Sequence, residues 1–257
     1  MPEKTDGAGL ADVVRYCNES LRISEIADYP NALNGLQIEN AGRVTRIGAA
    51  VDASLRSIDV AIEHSVDLLV VHHGIFWPGL RPIAGAQREL LRKAFAHNVA
   101  LYSAHIPLDV HPELGNNAQL VRALRIDGSS AFFEWKNVLL GQRADVEILR
   151  EDLVDRLEKL LGCDVKVVGG GPANIRALGV ITGGAGGEIL EVAALGLDTF
   201  VTGEAPHWAA VVAHDLKMNL IVAGHYATET FGVRALAANL SEKFGVPHEF
   251  IDCPTGF

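Results

Sequence analysis

The chain has 257 residues, 49% of them hydrophobic and 21% charged, the make-up of a globular protein able to form one large domain or two modest ones. Its net charge of −10, from 22 basic and 32 acidic residues, argues against non-specific nucleic-acid binding, which rests on lysine and arginine neutralising phosphates. No apolar run is long enough to span a bilayer, and Met1 to Leu10 lacks the apolar core of a signal peptide, so a cytoplasmic location is expected. Cys17, Cys163 and Cys253 lie far apart without metal-ligand spacing, which suits a reducing compartment.

Leu10 to Leu21 has the apolar spacing of an amphipathic helix. Tyr29 to Ile38 is read as a loop entering a short apolar segment, and Arg46 to Val51 as the first clear strand. A helix over Leu55–Glu63 follows, capped at Asp52-Ala53-Ser54. Asp67-Leu-Leu-Val-Val-His72-His73-Gly74 reads as a strand buried on both faces, ending in two imidazoles and a glycine. Adjacent side chains alternate along a regular strand, so both rings can serve one site only where the strand stops. Gly74–Gly85, with Phe76, Trp77 and Pro78, is read as a loop walling a site. A helix (Gln87–His97), a buried strand (Val99–Ala104) ending at His105, and a helix (Asn116–Leu124) complete this part.

Residues 129–177 change character: Phe132–Leu140 reads as strand, Val146–Leu161 as amphipathic helix and Val165–Val168 as strand. From Leu178 the earlier alternation returns. Strands Leu178–Thr182, Asp198–Thr202 and Asn219–Ala223 alternate with helices Glu188–Leu195, Trp208–Leu216 and Glu229–Phe244, before a last strand at Glu249–Ile251. The two parts correspond. Gly48 and Asp67 match Gly179 and Asp198 at an offset of 131 residues, where His73 falls on Glu204; His105 and Asp109 match His225 and Glu229 at 120. The fold expected is α/β: two related three-layer halves, 1–128 and 178–257, around a central cleft, with a small α+β bridge over 129–177.

Ligands of open α/β sheets bind beyond the carboxyl ends of strands. Those ends carry His72, His73, Asp109, His225 and Glu229, with His105, Glu204 and His207 nearby. Imidazole and carboxylate without thiolate suit zinc, iron or manganese, and a bridging carboxylate allows two ions, the usual device for activating a water. Each residue also has an ordinary reading: His225 as a strand cap, Glu229 as a favourable charge at a helix N-terminus, Asp109 as a turn residue. His207 suits a proton shuttle, a substrate contact or a solvent-facing cap equally well. The Gly183–Gly187 loop lacks the dinucleotide fingerprint, and no Gly-x-Ser-x-Gly nucleophile elbow occurs.

His72-His-Gly-Ile-Phe-Trp77, Ala104-His-Ile-Pro-Leu-Asp109 and Gly224-His-Tyr-Ala-Thr-Glu229, with Asn34-Gly-Leu-Gln37 and Thr202-Gly-Glu204, together resemble the interacting-factor-three-like proteins, also named GTP cyclohydrolase 1 type 2 homologs. The resemblance covers nearly the whole chain, in the short form without a large central insert. It implies two divalent ions held by His72, His73, Asp109, His225 and a bridging Glu229, in a toroidal homohexamer. The family name implies hydrolytic opening of the GTP purine ring, and the function expected is a metal-dependent hydrolase of a nucleotide or similar small molecule, with His105 or His207 moving protons beside Glu229. The other class it allows is a metal-binding ring scaffold acting on DNA or a protein partner. Glu204 where relatives often have Asp, and Ile106-Pro107 where Thr-Asn is common, leave the ligands intact and bear on substrate preference.

Overall fold

A computed structural model describes residues 7–257, so Met1 to Asp6 of the segment read as lacking a leader core lie outside the described residues. The chain divides into two compact units. The first comprises the described residues up to Leu114 together with Gly232–Cys253; the second comprises Gly115–Phe231 and Pro254–Phe257.

In the first unit a five-stranded sheet runs in the order His248–Phe250, Ile47–Asp52, Leu68–His73, Ala100–Ser103, Gly35–Ile38, with only the last strand antiparallel. Leu68–His73 is central and buried throughout, which is why its sequence is an unbroken apolar run. Alternation then divides its side chains between two layers. Leu68 and Val70 pack with Leu10, Val13 and Cys17 of the Leu10–Ser20 helix and with Val233, Leu236 and Leu240 of the Thr230–Phe244 helix. Leu69 and Val71 pack with Ile58 and Ala61 of the Leu55–Glu63 helix and with Leu90 and Ala94 of the Gly85–Ala96 helix. Burying each of the leucines, valines and isoleucines among them contributes about 1.5–3 kcal/mol.

The second unit has a six-stranded sheet in the order Ser130–Trp135, Val138–Leu149, Asn174–Ile181, Thr199–Thr202, Asn219–Val222, Lys166–Gly169. Its inner strands Asn174–Ile181, Thr199–Thr202 and Asn219–Val222 are parallel, and the flanking pairings antiparallel. Leu178, Val180, Val201 and Ile221 face the Asn116–Ala123 and Arg150–Leu161 helices through Leu120, Leu153 and Leu157. Phe200 and Leu220 face the Ile189–Ala194 and His207–Asp215 helices through Ile189, Val192, Ala209 and Ala213.

Two local expectations are corrected. Phe132–Leu140 is a hairpin rather than one strand, turning at Lys136-Asn137, where both residues have positive φ. The helix read from Val146 begins at Arg150, because Val146 and Ile148 keep the two-residue period of the preceding strand while Leu153 and Leu157 take the helical one.

The internal correspondence is visible in register. Gly48 pairs with Leu69 and Gly179 with Phe200, both related by 131 residues. The Asp67 carboxylate accepts the backbone amides of Thr45 and Arg46; that of Asp198 accepts those of Arg176 and Ala177, at the same offset. Further on, Ala104 N–H donates to Val71 O as Ala223 N–H does to Thr202 O, so these strands are related by 119 residues rather than 120. The extra residue before His225 is Gly224.

Candidate functional site

The first unit gathers imidazoles at the carboxyl edge of its parallel strands. His72, His73 and His105 each bring a ring nitrogen within 4.8 Å of the others. His72 is wholly buried, and His73 and His105 are nearly so. The two consecutive histidines share a cluster because they stand at the strand's last two positions, with ring centres 4.8 Å apart. Asp109, in the short Ile106–Asp109 helical turn, places Oδ2 3.4 Å from His72 Nε2.

Every ring here is held through Nδ1. That of His72 donates to Ala104 O at 3.0 Å, that of His73 to Asp52 Oδ1 at 2.9 Å, and that of His105 to Asp28 Oδ1 at 2.9 Å. A carbonyl oxygen offers no proton, so Nδ1 of His72 must carry one and the lone pair of the neutral ring lies on Nε2. Asp28 is itself buried and accepts from Asn34 Nδ2 and from the Tyr29 and Ile106 amides. Burial alone would raise its pKa, but the His105 bond and charge, with the Asn34 and Tyr29 bonds, outweigh burial and hold the carboxyl low.

The Asn34-Gly-Leu-Gln37 motif is the scaffold of this cluster. Asn34 Oδ1 accepts the His105 amide, and Gln37 accepts the Ile75 amide while donating to Ala32 and Leu33 carbonyls. Gly74 is needed for close approach rather than for a left-handed turn: a Cβ there would lie 2.2 Å from Gln37 Nε2.

In the second unit Glu204 follows the Thr199–Thr202 strand and His225 follows Asn219–Val222. His225 Nδ1 bonds Glu204 Oε2 at 2.9 Å, and its Nε2 lies 3.3 Å from Glu229 Oε2, one helical turn on. Glu229 is almost fully buried. Gly183 borders it so closely, at φ +68°, that a Cβ would stand 2.1 Å from Glu229 Oε1. Burial works against a charged His225 ring, yet its bonds to Glu229 and Glu204 and their charges prevail and push the pKa up to about 9. His207 opens the His207–Asp215 helix, exposed, and its side chain makes no hydrogen bond or ion pair among the described residues.

This donor set fits a divalent cation. The Nδ1 anchor of each ring turns Nε2 toward a carboxylate oxygen, at His72–Asp109 and at His225–Glu229. Lone pair against anion is repulsive, and a proton or a metal ion between them reverses the sign. Asp28 and Asp52 were not singled out as site residues in the sequence; Glu204 was, by falling on His73 at the 131-residue offset.

Residues 8–255 match the family model Duf34/NIF3 (NGG1p interacting factor 3). A Deinococcus radiodurans protein called "GTP cyclohydrolase 1 type 2 homolog" is 44% identical, over 96% of this chain and 94% of its own length. One of the same name from Pyrococcus horikoshii is 40% identical, over 95% and 98%. The crystal structure of TTHA1606 from Thermus thermophilus superposes with a TM-score of 0.89 at 38% identity, covering 97% of this chain and all of that one. The chain therefore belongs to the Duf34/NIF3 family.

Proposed function

We propose that this protein is a dinuclear, divalent-metal-dependent hydrolase of a nucleotide or similar small molecule, its ions held by His72, His73, Asp109, His225 and Glu229. The observation that carries the reading is the set of imidazoles anchored through Nδ1, with Nε2 set against Asp109 and Glu229. Zinc, iron or manganese would supply activation of a water and stabilisation of a displaced oxyanion. The residues supply the rest. Ala104 O, Asp52 and Glu204 orient the ligand rings. His105, its Nδ1 held by a charged Asp28, is the proton carrier. His207, exposed on its helix, takes no part in this reading.

The names of the relatives make GTP the first substrate to try. Metal content per chain and GTP turnover, compared between the parent and Glu229→Gln, test the proposal together. Two ions and turnover in the parent, with both reduced in the variant, are expected. No metal after reconstitution refutes it.

A further inference from the structure

We propose that the cavity flanked by His73, Trp77 and Arg81 in the first unit is the substrate-body subsite, taking an organic anion with a flat heteroaromatic body. The inference rests on the hydrolase reading, since His73 is one of its proposed ligands. The cavity measures about 420 Å³, within the range of small-molecule sites. His73 forms part of its wall, so a molecule seated there touches a ligand residue directly.

Three features set the chemistry. The Trp77 indole lies against the His73 ring at 5.2 Å between centres and 26° between planes, so the wall beside the ligand cluster is aromatic. Leu55, Ile75 and Leu90 add apolar wall beside the polar Ser54, Gln87 and Asp52, the last engaged by His73 Nδ1, and this lining suits a ring system better than a bare ion. Arg81, by contrast, is exposed at the cavity and makes no ion pair or hydrogen bond among the described residues. Arg15, Arg22 and Arg92 are each paired with a carboxylate three residues away. An uncompensated guanidinium beside an aromatic cavity, in a chain of net charge −10, is placed to meet an anionic group carried by the body in the cavity.

Equilibrium dialysis of the full-length, metal-loaded protein against GTP, guanosine and inorganic triphosphate tests this. Ala86 lines the cavity from the exposed start of the Gly85–Ala96 helix, so Ala86→Trp fills the space without touching the core. It is expected to weaken GTP and guanosine binding about tenfold or more, while Arg81→Ala weakens GTP about tenfold and leaves guanosine unchanged. Triphosphate alone is expected to bind weakly, and metal content to match the parent in both variants. GTP binding that is unaffected by both substitutions, or absent from a metal-replete parent, overturns the subsite. A parent without metal defeats the hydrolase reading instead, and the same two variants, measured on the metal-free chain, still decide the cavity.

Discussion

If His225 is a ligand, metal uptake must expel a proton from it at neutral pH. Glu229 and Glu204 flank the ring and push its pKa up to about 9 in the metal-free protein, against a reference of 6.5. At pH 7 this proton competes with the ion over about two pH units, a handicap of roughly 100-fold or about 2.7 kcal/mol. Apparent metal affinity therefore rises about tenfold per pH unit from this group alone and levels off above pH 9. Stability of the metal-free chain runs the opposite way. A folded pKa above the unfolded one gives a stabilisation fully present below pH 6.5 and lost as pH rises through about 9, roughly 3 kcal/mol in all. Calorimetric titration with zinc or manganese, at several pH values and in buffers of different ionisation enthalpy, counts the protons released. Melts of chelator-treated protein read the other slope. Glu204→Gln keeps an acceptor for Nδ1 but removes one charge, and should flatten both dependences. Flat metal affinity from pH 6.5 to 8.5, without proton release, would refute the reasoning.

Asp28→Ala removes the acceptor of four hydrogen bonds and should cost about 3 kcal/mol in urea denaturation. Asp28→Asn, which keeps the shape, should lower turnover about tenfold with metal content unchanged. Because the Asp28 pKa is held below 3.8, its stabilisation is complete above that pH and is lost as pH falls through the depressed value, seen as a steeper acid transition in the parent than in Asp28→Asn. Gly183→Ala forces a side chain into a left-handed backbone and against Glu229, and should lose about 1–2 kcal/mol in thermal melts together with part of its metal. Asp67→Asn and Asp198→Asn each weaken an equivalent clasp on two backbone amides, and each should cost about 1–2 kcal/mol by chemical denaturation.

The parallel strands were legible because a strand buried on both faces must be apolar throughout, as Leu68–Val71 and Leu220–Val222 are. The polar residues that stop such runs, His72, His73, His105 and His225, were legible for the same reason. A helix's apolar face, in contrast, carries no address. Asn116–Ala123 packs on the second sheet and Thr230–Phe244 on the first, and nothing in their periodicity says so. Nor did the sequence show that the strand in Val138–Leu149 continues past Val146, where a two-residue period and a helical one overlap for a few positions. Asp28 stayed hidden because its partner His105 is 77 residues away, and a hydrogen bond over that distance leaves no spacing to read. The Ala104 carbonyl that fixes His72 has no side-chain signature at all.

The fixed Nδ1 atoms bear on the ordinary readings of these residues. A structural histidine needs only its own two nitrogens satisfied, and a solvated loop offers that cheaply. Here His72, His73, His105 and His225, from three strand ends, each find an oxygen for Nδ1, three of them carboxylates and one a backbone carbonyl. For His72 and His225 the remaining nitrogen then faces a further carboxylate, Asp109 or Glu229, with little room for water around the buried His72 ring and the Glu229 side chain. Concentrating acceptors around imidazoles in this way is unfavourable for a metal-free fold, and the raised pKa of His225 is its response, a proton kept on a ring whose two nitrogens face Glu204 and Glu229. A divalent ion satisfies the same lone pairs with twice the charge. The protonated ring is thus the metal-free substitute for the bound state, and the competition between proton and ion is the point at which the metal-site reading is most directly exposed to test.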